Sequence, residues 1–100
     1  PGNLKSRLDA DVSAVELIDV REEKEYLRGH VYHARLLPLP KLVEKGVELS
    51  HDRPVVFVCR SGRRSMHASY ILQDMGYSDV YNLRGGMLAW EAAGLPVAVE

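Results

Sequence analysis

Pro54-Val55-Val56-Phe57-Val58-Cys59-Arg60-Ser61-Gly62-Arg63-Arg64-Ser65 is the stretch on which the reading of this chain turns. Of its first six residues, Val55 to Val58 are β-branched or aromatic, and the run carries too few polar positions for either face to meet water. That pattern fits a central strand of a parallel sheet covered on both sides. A polar, arginine-rich loop comes next, and after it Ser65 to Met75 reads as a helix. Ala68, Ile71, Leu72 and Met75 stand at i, i+3, i+4 and i+7, one helical face, and Gly76 supplies the stop. The segment is therefore strand, loop, helix, with a cysteine where the strand ends.

The same alternation extends outward. Leu4 to Asp9 is compatible with a short helix. Ala14 to Val20 reads as a buried strand ending in charge, Glu22 to Arg28 as a helix stopped by Gly29, and Ala34 to Leu37 as a short strand broken by Pro38 and Pro40. Leu39 to Lys45 is a further helix, Val80 to Leu83 a strand, Gly85-Gly86 a turn, and Met87 to Ala93 a helix halted by Gly94 and Pro96. Short apolar strands alternating with helices predict an α/β fold with a mostly parallel sheet. Reactive sites in such sheets lie at the carboxyl ends of the strands. Asp19-Val20-Arg21 and Cys59 both fall there.

Composition bounds the rest. One hundred residues fit a single domain spanning 1–100, and 46% hydrophobic with 27% charged residues is ordinary for a soluble globular protein. A net charge of -1 gives the whole molecule no pull on nucleic acid or anionic membrane. No apolar run approaches the roughly 20 residues of a membrane span. With a single cysteine there is no internal disulfide, no signal peptide is visible, and the cytoplasm is the expected location. The chain begins Pro1-Gly2 without an initiator Met, as a processed protein or a piece of a longer one would.

The loop carries the chemistry. A strand end running into a helix start can point successive backbone N–H groups inward, and the helix terminus adds about half a positive charge. Gly62 lets the backbone bend close to a ligand. Arg60, Arg63 and Arg64 add three cations beside the thiol. Such surroundings favour the thiolate and depress the pKa of Cys59 below its free value of roughly 8.5. Asp19 and Arg21 could line the same site. Their structural reading is that Asp19 orders loop backbone and Arg21 pairs with a helix carboxylate. Glu22 to Glu25 read as a solvated helix face, Trp90 as core, and Ser65 as the residue that caps or begins its helix and could touch a bound sulfur. His30, His33, His51 and His67 show no metal-ligand spacing, so no metal is expected.

Taken together these residues resemble the rhodanese family of sulfurtransferases. Leu17 to Glu22 with Glu25-Tyr26 and Gly29-His30-Val31 are similar to its first signature. Cys59 to Ser65 is similar to its active loop, and Asn82 to Gly86 with Ala89-Trp90 and Gly94-Leu95-Pro96 to its closing signature. The resemblance implies a rhodanese-like three-layer domain with a short parallel sheet of four or five strands and helices on both faces. It also implies catalysis by Cys59, with Arg60, Ser61, Gly62, Arg63, Arg64 and Ser65 holding the substrate. The expected reaction moves sulfane sulfur from thiosulfate, a small anionic donor, to a thiol or cyanide through a Cys59 persulfide, with no cofactor. The alternative is a carrier or regulatory module that delivers persulfide sulfur to a partner protein. Rhodanese-like phosphatases carry a wider loop; the four residues between Cys59 and Arg64 match the tighter sulfurtransferase loop. Two departures stand out. Tyr32-His33-Ala34 replaces the family's Pro-Gly-Ala turn, which predicts a different loop shape. With thirteen residues ahead of Ala14, the strand that usually precedes the first helix is expected to be missing.

Overall fold

The computed structural model describes residues 2–11, 14–45, 49 and 52–98. Along the chain run α1 (Gly2–Ala10), β1 (Glu16–Asp19), α2 (Glu23–Arg28), β2 (His30–Val31), β3 (Arg35–Leu36), α3 (Leu39–Lys45), β4 (Val55–Val58), α4 (Arg63–Asp74), β5 (Val80–Asn82), α5 (Gly86–Ala92) and β6 (Val97–Ala98). The main sheet has four parallel strands in the order β3-β1-β4-β5. The expected α/β architecture is present, with the Val55–Val58 strand at its centre. All four residues of that strand are buried, as its lack of polar positions requires.

Strand alternation divides the core into two layers. Ile18, Val55 and Phe57 face Leu42 of α3 and Ala68 and Leu72 of α4. Leu17, Val56 and Val58 face Leu4 and Leu8 of α1 and Met87 and Trp90 of α5. Each fully buried large side chain, Phe57 and Trp90 among them, contributes about 1.5–3 kcal/mol of transfer free energy. The apolar face read for α4 is the one used: Ala68 and Leu72 are buried, and Ile71 and Met75 pack at its margin.

Several details differ from the sequence reading. A second, two-stranded antiparallel sheet joins β2 to β6. Each strand is two residues long, too short to show a period. Helix α4 begins at Arg63 rather than Ser65, because Gly62 takes a left-handed φ of 101° and turns the chain into the helix two residues earlier. The Tyr32-His33 turn closes with Ala34 N–H donating to the Val31 carbonyl at 3.0 Å, with His33 at φ 68°. His30 is structural: it is buried and stacks on Tyr26 with ring centroids 3.7 Å apart. His51 lies outside the described residues.

The sheet matters for function because of how its strands end. Asp19 of β1 is in register with Val58 of β4. The charged Asp19-Val20-Arg21 segment and Cys59 thus leave the sheet side by side.

Candidate active site

Cys59 sits at the carboxyl end of β4, almost fully buried. Its Sγ accepts backbone hydrogen bonds from Gly62 N at 3.1 Å and Ser65 N at 3.4 Å. Ser65 is the third residue of α4, and the helix has no side-chain cap of its own because Gly62 is at the cap position. The sulfur does what a capping oxygen ordinarily does, taking the amide of the third helical residue. Ser65 Oγ lies 3.5 Å from Sγ, 3.1 Å from the Gly62 carbonyl, and against the Asn82 side chain. The thiol can donate to that hydroxyl; once the thiol proton leaves, the hydroxyl can turn and donate to the sulfur.

Burial is the largest single influence on this thiol and pushes its pKa up. The Ser65 hydroxyl and the backbone amides of Ser65, Gly62 and Ser61 push it down. The donors prevail, and the pKa falls below the ordinary thiol value. The thiolate is the nucleophilic form, and neutral donors stabilise it without covering it with a counter-charge.

The loop is anchored from behind by α5. Met87 N donates to the Cys59 carbonyl at 2.8 Å and Leu88 N to the Arg60 carbonyl at 3.0 Å. Gly86, at φ 54°, makes that approach possible. A Cβ there would stand 2.2 Å from the Cys59 carbonyl oxygen and 2.7 Å from the Arg60 carbonyl, far inside contact distance. The sequence signal for this anchor was the Gly85-Gly86 pair, which by itself indicates only a turn.

The structure separates the three arginines. Arg60 and Arg63 are exposed beside the loop. Arg64 turns away to Glu25 of α2 in a two-pronged ion pair, Nη1 to Oε1 at 2.8 Å and Nη2 to Oε2 at 2.9 Å. Glu25 Oε1 also accepts from Glu22 N at 3.1 Å. The Arg64 hydrogen bonds hold the Glu25 carboxyl at about 2, against the opposing pull of burial. Arg64 therefore ties α4 to α2, and Glu25 belongs to that tie rather than to a solvated face. Ser61 is exposed at the loop's tip, while Gly62 and Ser65 are buried in the cradle.

Asp19 and Arg21 have the structural role, with one change of partner. Arg21 pairs with Asp19 itself, not with a helix carboxylate. Its Nε lies 3.0 and 3.1 Å from the two carboxylate oxygens, and one terminal nitrogen is 2.8 Å from Oδ2 and 2.7 Å from the Gly29 carbonyl. Asp19 Oδ1 also accepts the Arg21 backbone N–H at 3.0 Å, the loop-ordering role expected of it. Trp90 is core, its indole N–H donating to the Pro96 carbonyl at 2.7 Å.

Cys59 is thus buried and donor-cradled at a strand end. The Rhodanese-like domain model matches residues 1–93. The chain belongs to the rhodanese-like family. It is 42% identical over 95 residues to a sulfurtransferase of Allochromatium vinosum, covering 95% of this chain and 88% of that one. It is 34% identical over 83 residues to the thiosulfate sulfurtransferase GlpE of Pseudoalteromonas translucida, covering 83% and 79%. The rhodanese-like domain of the Alr3790 protein from Anabaena has the same fold, with a TM-score of 0.88 at 30% identity over 99% of this chain and 76% of that one. Among the described residues no helix is long and apolar enough to cross a membrane.

Proposed function

We propose that this rhodanese-like domain is a thiosulfate sulfurtransferase acting through a persulfide on Cys59. The observation that carries the reading is the sulfur's surroundings: two backbone N–H groups at 3.1 and 3.4 Å and a hydroxyl at 3.5 Å. In the first step the Cys59 thiolate attacks the outer sulfur of thiosulfate. The new S–S bond forms as the old one breaks, and sulfite leaves with the bonding pair. The product, a Cys59 persulfide anion, carries its charge on the outer sulfur, where the loop's inward amides are available to it. In the second step a cyanide or thiol acceptor attacks that outer sulfur and Cys59 departs as thiolate. The chain has one cysteine, so the acceptor comes from outside.

Among the described residues no side-chain cation bonds the Cys59 sulfur; Arg64 bonds Glu25 and acts on the sulfur only through space. Ser61, Gly62 and Ser65 hold the transferred sulfur, and the exposed Arg60 and Arg63 gather the dianionic donor at the mouth. Two partly exposed cations favour thiosulfate over the monoanion 3-mercaptopyruvate by up to about 1 kcal/mol each, an advantage that shrinks as salt rises. A reactive thiol with no internal partner suits a reducing compartment, and we assign the protein to the cytoplasm. The test is intact mass. Thiosulfate should add about 32 Da, one sulfur atom, in a form a reductant removes. Retention of that gain in Cys59→Ser would contradict the assignment.

A further inference from the structure

We propose that the groove between α4 and β5 docks an extended, acidic, thiol-bearing segment of a protein that accepts sulfur from Cys59. The groove has a volume of about 680 Å³ and starts at Gly62, whose amide is 3.1 Å from the sulfur. It runs outward between one face of α4 and the outer edge of β5, which is the end strand of the sheet. Among the described residues six large apolar side chains are exposed, and three of them line this one groove: Met66 at 48%, Tyr70 at 60% and Tyr81 at 53%. Exposed apolar side chains gathered in one place mark interaction surfaces; the same residues scattered would not.

Charge gives the groove a direction. Arg63 and Arg84 line its end beside the loop, both exposed and neither ion-paired with a described residue. At the far end α4 closes with Asp74, and Asp79 precedes β5; both are exposed. A ligand complementary to this pattern carries its negative charge next to the reacting sulfur and apolar side chains further out. From Arg63 to Tyr70 the helix advances about 10 Å, the length of about three extended residues. The occupant is therefore a short extended segment: a cysteine at Gly62, an acidic residue at Arg63 and Arg84, and apolar residues on Met66, Tyr70 and Tyr81. The docked thiol gives up its proton to solvent, and the resulting thiolate attacks the outer sulfur of the Cys59 persulfide. The S–S bond breaks, Cys59 leaves as thiolate, and the segment departs as a persulfide.

This inference rests on Cys59 carrying sulfur, and the experiment separates the two. Fluorescein-labelled peptides containing Phe-Leu-Asp-Glu-Cys, in that order and reversed, are titrated against the reduced protein. Matched peptides with Lys in place of Asp and Glu serve as controls. One acidic peptide should bind at least about tenfold more tightly than its lysine control, and Met66→Ala with Tyr70→Ala should weaken it about tenfold. Arg84→Glu should reverse the preference for acid over lysine. With the persulfide formed, the double variant should raise KM for the acidic peptide about tenfold and leave transfer to cyanide unchanged. Equal binding of acidic and basic peptides, or wild-type KM in the groove variants, would overturn the proposal. So would a dimer in solution that Tyr70→Ala dissolves, since the groove would then belong to a second copy. A protein that takes no sulfur from thiosulfate would sink the sulfurtransferase reading, and peptide binding would still decide the docking.

Discussion

Two neighbouring strands of one sheet end in opposite ways. At the end of β1, Asp19 and Arg21 are buried together and every polar atom of the carboxylate is matched to a cationic or backbone donor. At the end of β4, the Cys59 sulfur is equally buried but is met by two amides and a hydroxyl. The pair at β1 is neutral overall, and both oxygens of its carboxylate are engaged. The sulfur at β4 is met by neutral donors that favour its anionic form against the pull of burial. Charges that hold structure are paired with charges, and the charge that reacts is solvated by dipoles. A second ion pair beside the site, Glu25 with Arg64, obeys the same division: it anchors the helix that supplies the dipoles and matches that helix's cation to a carboxylate.

The largest way to break this comparison is at β1. Asp19→Ala leaves the Arg21 guanidinium buried without its counter-charge and should cost about 3–5 kcal/mol in a denaturant titration. Replacing both residues with apolar ones of similar volume should cost much less. A mild effect of Asp19→Ala alone would mean that the pair is not what closes the end of β1. Next is the anchor behind the loop. Gly86→Ala places a Cβ against the Cys59 and Arg60 carbonyls at a left-handed φ, and should cost about 2–3 kcal/mol. Because those carbonyls belong to the loop, sulfur transfer should fall in the protein that remains folded.

Ser65→Ala sharpens the β4 side. It removes the hydroxyl, the leading influence lowering the Cys59 pKa, and leaves both amides in place. The thiol midpoint should rise, and an unchanged midpoint would remove the hydroxyl from the account. The smallest effect expected is at Glu25. Its carboxyl titrates at about 2 in the fold, below its unfolded value, so the contribution is present above the unfolded pKa and is lost as pH falls toward 2. Solvent reaches this pair, and Glu25→Gln should cost about 1 kcal/mol at neutral pH. The difference between wild type and variant should vanish in acid. A difference that stays constant down to acid pH would remove the ion pair from the account.

Most of the frame was legible in the sequence because burial writes a pattern. The Val55–Val58 strand has no polar position to expose, and the α4 face at Ala68, Ile71, Leu72 and Met75 has the helical period. Cys59 could be singled out because a glycine and three arginines come directly after it. What the sequence did not show is where the long side chains go. Arg64 adjoins the cradle in the chain yet swings to Glu25, a residue 39 positions away. Likewise Arg21 chose the carboxylate two residues back rather than one on a helix. The β2–β6 pairing left no trace because a two-residue strand has no period. The approach of α5 to the loop was hidden because a glycine pair signals a turn without saying what the turn is near.

The central claim is that neutral donors hold Cys59 as a thiolate inside the protein, and the most direct measurement is the rate of Cys59 alkylation against pH. The account predicts a single midpoint below the free-thiol value of roughly 8.5, moved upward in Ser65→Ala. A midpoint at or above the free value in the unmodified protein would mean that burial outweighs the cradle, and would contradict the account.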